Sequence, residues 1–435
     1  MKHSKKMKKK MKVGSLRAVL LLTAMCLSAL TAGCALKGPH EGARELTEKM
    51  PREEMETVDI MEPSYESVNP RKELTEFSLE LLSKNLSHDN CLISPLSIIS
   101  ALGMTANGAK GSTRAQMEQM MHTDTAVLNE YLKAYTGYMP NNEMYKVNIA
   151  NSIWFRDSDS LAVNEDFLKT SRNYYDASIF EAPFDAGTRD DINTWVKKET
   201  DGMIEKLLED APPQDAVMYL INALSFDGEW RDIYEKNQIH KGTFNAENGD
   251  QQSADFMYST EAVYLENAFG TGFIKPYGDG AYAFAAVLPK EGIQMENFLG
   301  KLKGGGLTEL LEQTRNQTVY ARIPRFTVEY NVILNESLME SGMKDAFDGK
   351  NADFSAMAHS DKNNIYISKV IHKTKIDVDA KGTRAGAVTA VEVSEGSAAQ
   401  TEEPKEVYLD RPFFYMIIDT RQNFPLFMGC LMQME

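Results

Sequence analysis

The stretch that decides the fold runs from residue 380 to residue 404 and reads AKGTRAGAVTAVEVSEGSAAQTEEP. It carries no aromatic or long aliphatic side chain, so we expect a surface loop. Loops longer than about 12–15 residues in a compact domain are usually functional or disordered. Its first half nevertheless alternates with a period of two, and one face of that alternation is uncharged: Thr383, Ala385, Ala387, Thr389, Val391 and Val393. Both charges, Arg384 and Glu392, fall on the other face, as a central β-strand with one buried face requires. The composition of this stretch thus predicts an exposed loop, whereas its alternation predicts a buried strand. Places where two such sequence signals disagree are often functional sites.

The rest of the chain has the composition of a globular protein. Hydrophobic residues make up 43% and charged residues 25% of its 435 residues, which excludes disorder over most of the length. Helical periodicity begins at Arg71, whereas strand patterns become frequent later, as in 281–288, 318–323 and 413–418. We therefore predict a single α+β domain over residues 71–435.

The N-terminal 33 residues predict a bacterial lipoprotein signal peptide. They carry eight Lys and Arg but no Asp or Glu, and the apolar run 18–30 is shorter than the roughly 20 residues that span a bilayer. The run ends in a sequence similar to a lipobox, Thr31-Ala-Gly-Cys34, in which Cys34 is lipidated. An ordinary secretory signal cleaved nearby is the alternative.

Residues 34–70 are acidic and nearly free of aromatic side chains, so we predict a flexible tether. We expect a secreted protein, lipid-anchored to the bacterial cell envelope and facing the extracellular side.

Charge and motifs argue against several classes of protein. The formal net charge is −16, and it becomes −24 without the basic signal peptide, so we expect no nucleic-acid partner. The sequence contains no GxSxG, HExxH or phosphate-loop motif. Asp377-Val-Asp379 opens like a calcium loop, but Lys381 and Val388 occupy two of the ligand positions. We therefore predict no catalytic residue, no metal site and no cofactor, and hence a protein that is not an enzyme.

Several ordered blocks, together with the 380–404 stretch, resemble the serpin family of serine protease inhibitors. The blocks are NCLISPLS at 90–97, ALGMTANGAKGSTRAQM at 101–117, INTWV at 192–196 followed by Thr200 and Gly202, NALSFDGEW at 222–230, His372, RPFF at 411–414 and PLFMG at 425–429. The resemblance covers roughly residues 71–435. It implies helices around three β-sheets and an exposed reactive-centre loop at about 380–408.

The resemblance also implies roles for individual residues. The family has a shutter, a buried polar network that lets the central sheet open, and here it comprises Ser94, Pro95, Ser97, Asn222 and His372. The hinge of the reactive-centre loop comprises Gly382, Thr383, Ala385, Gly386, Ala387, Thr389 and Ala390. We expect Trp195, Trp230 and Phe427 to be packing residues. Ala380 stands where inhibitory members commonly have Glu, but the small hinge residues still favour an inhibitor.

The function that the resemblance implies is suicide-substrate inhibition. A target serine protease, or a cysteine protease, attacks the loop and forms a covalent acyl-enzyme. The segment upstream of the cut then inserts into the central sheet as a new strand and drags the protease with it. Counting from the hinge places the reactive bond at Gly396-Ser397, whereas counting back from Pro412 places it near Thr401.

The residues around the predicted bond are small, and no Arg or Lys lies between Arg384 and Lys405. An elastase-like or subtilisin-like target is therefore favoured, while Glu395 leaves a glutamate-specific protease open. The main rival interpretation is a non-inhibitory serpin-like binding lipoprotein on the cell surface. A more distant rival is a surface solute-binding protein.

Two cysteines remain beyond the signal segment, Cys91 and Cys430. They fall in segments that the family places in neighbouring core strands. Both a disulfide and a pair of buried free thiols agree with that placement. We expect the protein to be a monomer.

Overall fold

The computed structural model describes residues 42–52, 69–157, 161–213, 215–361, 364–383 and 403–434. The helices of this part of the chain are α1 Arg71–Lys84, α2 Pro95–Gly108, α3 Gly111–Met121, α4 Thr125–Tyr138, α5 Glu165–Tyr175, α6 Ala186–Glu199, α7 Met295–Leu302, α8 Gly306–Glu312 and α9 Asn335–Glu340. Its strands are β1 Arg44–Glu45, β2 Cys91–Ile93, β3 Tyr145–Arg156, β4 Leu161–Val163, β5 Ser178–Ala182, β6 Met218–Glu229, β7 Ile239–Asn245, β8 Gln251–Glu266, β9 Gly270–Pro276, β10 Tyr282–Pro289, β11 Arg315–Pro324, β12 Phe326–Ile333, β13 Ala358–Ser360, β14 Lys369–Val378, β15 Gly382–Thr383, β16 Lys405–Tyr408, β17 Phe413–Asp419 and β18 Phe424–Leu431.

The α+β prediction is confirmed. Helices α1 to α6 lie before residue 200, and the three strand patterns noted in the sequence fall in β10, β11 and β17. β10 and β17 are continuous apolar runs because every residue in them is buried, whereas β11 alternates between buried and more exposed residues. No helix in the described part of the chain is both long and apolar enough to cross a membrane.

Two large sheets organise the domain. The central sheet has the strand order β1-β5-β3-β6-β15-β14-β12. A second sheet runs β16-β11-β8-β9-β10-β17-β18-β2, with β7 paired to β8, and a small third sheet joins β13 to β4. Phe226 of β6 packs edge-on against Tyr282 of β10, so the main core lies between the two large sheets.

The other face of the central sheet carries a smaller apolar cluster. There Ile192 and Val196 of α6 lie with Tyr219 and Ile221 of β6, all buried. Strand β6 is thus buried on both faces. This double burial explains the nearly unbroken apolar run Met218-Tyr-Leu-Ile at its start.

The segment 42–52 lies at the edge of the central sheet, although it falls within the predicted tether. Its strand β1 pairs antiparallel with β5. The Leu46 amide donates to the Ile179 carbonyl at 2.7 Å, and the Ile179 amide donates to the hydroxyl of the buried Thr47 at 3.1 Å. For these residues the structure differs from a tether free of the domain. Backbone hydrogen bonds of β1 cover the open edge of β5, and an ion pair between Arg44 and Glu181 adds a side-chain contact.

Candidate functional site

The strands β6 and β14 are joined at one end of the central sheet and parted at the other. Residues Lys369–His372 of β14 pair in parallel with residues Tyr219–Asn222 of β6. At the opposite end β15 lies between the two strands, with Thr383 opposite both Val378 of β14 and Gly228 of β6. We call the stretch between these two points, residues 223–227 of β6 and 373–377 of β14, the gap. No ladder between β6 and β14 is found there among the described residues.

The predicted hinge residues Gly382 and Thr383 occupy the mouth of the gap. A Cβ atom on Gly382 would overlap the carbonyl oxygen of Gly228, so only glycine lets the backbone approach this closely. Thr383 is 1% exposed, and its hydroxyl hydrogen-bonds the hydroxyl of Tyr277. The hinge therefore already begins a strand between β6 and β14.

The turn that precedes β15 is held by the segment 230–234. The amide of Trp230 donates to the Lys381 carbonyl at 2.8 Å, and its indole Nε1 donates to the Asp379 carbonyl at 2.9 Å. The amide of Tyr234 donates to the Ala380 carbonyl at 2.8 Å. Besides the packing role expected from the sequence, Trp230 therefore donates two hydrogen bonds to this turn. Ala380 belongs to the apolar core, where the glutamate common in inhibitory relatives would be largely buried.

Sequence reasoning missed a buried ion pair beneath this segment. Lys275 of β9 and Glu261 of β8 are 2% and 6% exposed, and Lys275 Nζ lies 3.1 Å from Glu261 Oε1. The same ammonium lies 4.5 Å from the ring centre of Tyr234 and 5.5 Å from that of Trp230. Lys275 Nζ also donates to the Asp232 carbonyl at 3.1 Å, which connects the pair to the segment 230–234. Removing one partner of such a buried pair costs about 3–5 kcal/mol. A lysine within the otherwise apolar run of β9 was the only sequence signal.

Three of the five predicted shutter residues come together across the joined end of β6 and β14. The Ser94 amide donates to Nε2 of His372 at 3.0 Å, and His372 lies opposite Asn222 on the neighbouring strand. Pro95 is the first residue of α2, where a missing amide proton costs nothing. Ser97 is buried on the same helix.

The network continues through Asn151 of β3, which sequence reasoning also missed. The side-chain amide of Asn222 donates to Oδ1 of Asn151, whose own amide donates to the Tyr175 carbonyl at 3.1 Å. Four buried polar atoms of the predicted shutter have no hydrogen-bond partner among the described residues: Ser94 Oγ, Ser97 Oγ, Asn222 Oδ1 and His372 Nδ1. Such unpaired groups are unusual in a folded core.

His372 is neutral, and its tautomer follows from its partner. Burial lowers the pKa of His372 to about 3. A backbone amide can only donate, so Nε2 accepts the bond from Ser94 and the ring proton resides on Nδ1. The joined end of β6 and β14 therefore contains an unpaired donor, His372 Nδ1, beside an unpaired acceptor, Asn222 Oδ1.

Acid should destabilise the fold through His372. The ordinary pKa of 6.5 applies to the unfolded chain, so between pH 6.5 and about 3 the unfolded state binds a proton that the folded state excludes. Stability is thus full above pH 6.5 and falls as the pH drops. Between pH 7 and pH 5, the free energy of unfolding of the wild type should fall by roughly 2 kcal/mol more than that of His372→Asn. Urea unfolding at the two pH values measures this. His359→Asn, at an exposed position, serves as the control, and equal losses in wild type and His372→Asn would contradict the assignment.

The remaining predicted site residues lie outside the described residues. These are Cys34, Ala385, Gly386, Ala387, Thr389, Ala390, Gly396 and Ser397. The structure does describe both ends of the predicted loop. Its last residues, Lys405–Tyr408, form β16 and pair in parallel with β11. Among the described residues, no three His, Cys, Asp or Glu side chains converge to hold a metal ion.

Comparison with known proteins gives a consistent result. The family model described as Serpin (serine protease inhibitor) matches residues 72–434. A serpin-like protein of Methanosarcina acetivorans is 32% identical over 79% of this chain and 81% of its own length. Leukocyte elastase inhibitor A of Mus musculus is 28% identical over 82% of this chain and 97% of its own.

A solved thermophilic serpin, tengpin, is 40% identical to this chain. Its native state covers 90% of this chain and all of its own, with a TM-score of 0.83. Its latent state covers 88% of this chain with a TM-score of 0.74. The central sheet, in which Gly382 and Thr383 lie between β6 and β14, is therefore part of a serpin fold. This chain belongs to the serpin family of serine protease inhibitors.

Proposed function

We propose that this chain is a suicide-substrate inhibitor of extracellular serine proteases, which acts by cleavage of its loop and insertion of the loop into the central sheet. The observation that carries the proposal is the gap between β6 and β14, with Gly382 and Thr383 already in its mouth. A sheet that is joined at one end only has unused backbone groups along the gap. A further strand can pair with them, and it can extend along the whole sheet once β6 and β14 separate at their joined end.

The trapping step is mechanical. The nucleophile of the target protease attacks the carbonyl carbon of the reactive bond and forms an acyl-enzyme, while the downstream segment leaves with a new amino terminus. The freed upstream segment then pairs with β6 and β14 beyond Thr383. About fourteen residues at about 3.3 Å each move the attached protease by on the order of 45 Å. Distortion of the protease's catalytic groups then prevents hydrolysis of the ester, so insertion must be faster than deacylation.

The register of β15 predicts where each inserted residue goes. Thr383 lies opposite Val378 and Gly228, so each later loop residue meets the preceding residue of both neighbouring strands. Continued for six residues, this register brings Thr389 between His372 and Asn222, the pair at which β6 and β14 are joined. The uncharged face found in the sequence shares the orientation of Thr383, and therefore faces the main core.

A threonine suits this position chemically. One hydroxyl accepts a hydrogen bond and donates another, so Thr389 can accept from His372 Nδ1 and donate to Asn222 Oδ1. Both atoms lack a partner while β6 and β14 are joined directly. The shutter is thus better satisfied after insertion than before it, which favours separation of the two strands.

Thr389→Val should weaken trapping without abolishing it. Valine keeps the shape of threonine but leaves the two shutter atoms unpaired, at a cost of roughly 1–3 kcal/mol in the inserted state. We expect more inhibitor to be consumed as substrate per trapped protease, by about two-fold or more. Titration of elastase with inhibitor measures this number. Thr389→Ser is the matched control, because it restores the hydroxyl; equal stoichiometry for the valine and serine variants would contradict the register.

The target is proposed to be an elastase-like or subtilisin-like protease that cuts near Gly396-Ser397. Small residues around this bond fit a small apolar specificity pocket. A relative of this chain bears the name leukocyte elastase inhibitor, in agreement with such a target. We further propose that the mature protein is a monomer, attached to the outer side of the bacterial cell envelope through a lipid on Cys34.

Mixing the purified domain with elastase and boiling the mixture in SDS tests the function. A covalent complex near the summed mass of the two proteins is expected. A cleaved chain together with fully active elastase would overturn the proposal and support the non-inhibitory binding lipoprotein. Mass determination of the released C-terminal fragment identifies the reactive bond and separates the 396–397 position from one near Thr401.

A further inference from the structure

The two cysteines of the folded domain lie face to face. The sequence contains four cysteines, of which Cys26 and Cys34 belong to the signal segment. The other two come from near opposite ends of the domain, Cys91 in β2 and Cys430 in β18. These strands are antiparallel neighbours, and Cys91 lies directly opposite Cys430. Both are free thiols in this structure and neither is exposed to solvent.

The backbone geometry of this pair suits a disulfide. Directly opposite residues of antiparallel strands have Cα atoms roughly 4.5–5.5 Å apart. A disulfide joins Cα atoms roughly 4.4–6.8 Å apart, so the bond needs no movement of either strand. The two thiols influence each other's titration: the neighbouring Cys430 lowers the pKa of Cys91, whereas burial raises the pKa of Cys430.

The surroundings favour a disulfide over the other uses of paired thiols. No third His, Cys, Asp or Glu among the described residues joins the pair to form a metal site. Two titratable side chains lie nearby, Tyr415 of β17 and Tyr330 of β12, and burial raises the pKa of both phenols. The hydroxyl of Tyr415 has no hydrogen-bond partner among the described residues, and that of Tyr330 donates to the Asn85 carbonyl. Neither thiol is exposed enough for a catalytic or sensing role in the folded protein.

We propose that Cys91 and Cys430 are a modification site, at which oxidation during folding forms a disulfide that joins β2 to β18. The inference rests on the proposed extracellular location, because disulfides persist in oxidising compartments. The oxidant is a disulfide, carried by a small molecule or by a thiol–disulfide oxidoreductase. The Cys91 thiolate attacks one of its sulfurs, forms a mixed disulfide and releases one thiol. Cys430 then loses its proton, attacks the sulfur of Cys91 and releases the second thiol, so two protein thiols are oxidised while one disulfide is reduced.

The position of this bond has a structural consequence. Ile93 ends β2, and the next residue is Ser94, whose amide holds His372. A bond from Cys91 to β18 therefore anchors the strand that leads into the shutter. Insertion parts β6 from β14 in the central sheet, whereas β2 and β18 lie together in the second sheet. The disulfide should thus stabilise the native state without impeding the trap.

Mass spectrometry of protein exported by a bacterial host tests the proposal. The protein is purified without reductant, denatured in the presence of iodoacetamide, which alkylates free thiols, and digested. The peptides with Cys91 and Cys430 are expected to be linked and unalkylated, and alkylated only after reduction. Alkylation of both cysteines without reduction would overturn the proposal.

Denaturant unfolding supplies an independent measurement. Reductant should lower the unfolding midpoint of the wild type, but not that of the Cys91→Ala, Cys430→Val double variant. A wild-type midpoint that is insensitive to reductant would contradict the proposed bond. Elastase trapping by the oxidised and reduced proteins is expected to be equal, so failure of the disulfide and failure of the inhibitory function can be told apart.

Discussion

Thr383→Arg is expected to convert the chain from an inhibitor of elastase into a substrate. The threonine is 1% exposed between β6 and β14, and its hydroxyl bonds to Tyr277. An arginine at this place would bring an unpaired charge into an aromatic environment, where Tyr277 stacks on Trp230 with 4.4 Å between ring centres. Burial of an uncompensated charge costs several kcal/mol, and about 1.4 kcal/mol slows a step tenfold. Because residue 383 is already buried before cleavage, this cost keeps the arginine and the segment after it out of the mouth of the gap. Insertion, which must start there, is then slower than deacylation.

The experiment compares trapping with cleavage. Elastase is incubated with each protein, and the covalent complex and the cleaved chain are quantified on an SDS gel. For Thr383→Arg we expect cleavage at a rate near that of the wild type and a yield of complex reduced by at least about tenfold. The cleavage rate is preserved because the charge lies at the hinge, far along the chain from residues 396–397.

Two controls separate the buried charge from other effects. Lys381→Arg places the same guanidinium two residues away, on the exposed turn before β15, and should trap normally. Thr383→Val removes the hydroxyl but keeps the shape, and should retain most of the trapping. Complex formation by Thr383→Arg at the wild-type rate would show that the loop does not insert from this point.

The part of the site that could be predicted from sequence depends on local pattern. Alternation with a period of two is a property of the chain itself, so the uncharged face of the loop could be identified before its surroundings were known. The structure gives Thr383 the buried side that this alternation predicts. The shutter role of Ser94, Asn222 and His372 was predicted through the resemblance to a family, because isolated polar residues in apolar segments carry no local signal of their own.

The part that could not be predicted depends on partners that are distant in sequence. Lys275 and Glu261 lie on adjacent strands, and a lysine within the apolar run of β9 does not by itself show which carboxylate it will meet. Asn151 becomes part of the shutter only through the pairing of β3 with β6. The edge strand β1 was missed for a different reason. Its strand pairing uses backbone groups, which composition does not reveal, and the partners of Arg44 and Thr47 lie more than 130 residues away in sequence.

Cleavage of the loop should raise the melting temperature of the domain by a large amount. Along the gap β6 pairs with β3 and β14 pairs with β12, but the edges that β6 and β14 turn toward each other have no ladder partner among the described residues. An inserted strand would pair with both of these edges. Roughly ten additional hydrogen bonds at ~1 kcal/mol each correspond to on the order of 10 kcal/mol. At roughly 2 °C per kcal/mol for a domain of this size, Tm rises by on the order of 20 °C. Differential scanning calorimetry of intact and elastase-cleaved protein measures the shift.

The cleaved Thr383→Arg variant is the control that assigns this rise to insertion. Its loop is cut at the same bond, but the buried charge keeps the new strand out of the gap. Its Tm should therefore stay near that of the intact protein, whereas the Tm of the cleaved wild type rises. If cleavage itself relieved strain elsewhere in the loop, both cleaved proteins would gain equally. If the cleaved wild type melted at the temperature of the intact chain, insertion of the cleaved loop would not lower the free energy of the folded protein. Insertion would then lack the driving force that it needs to be faster than deacylation.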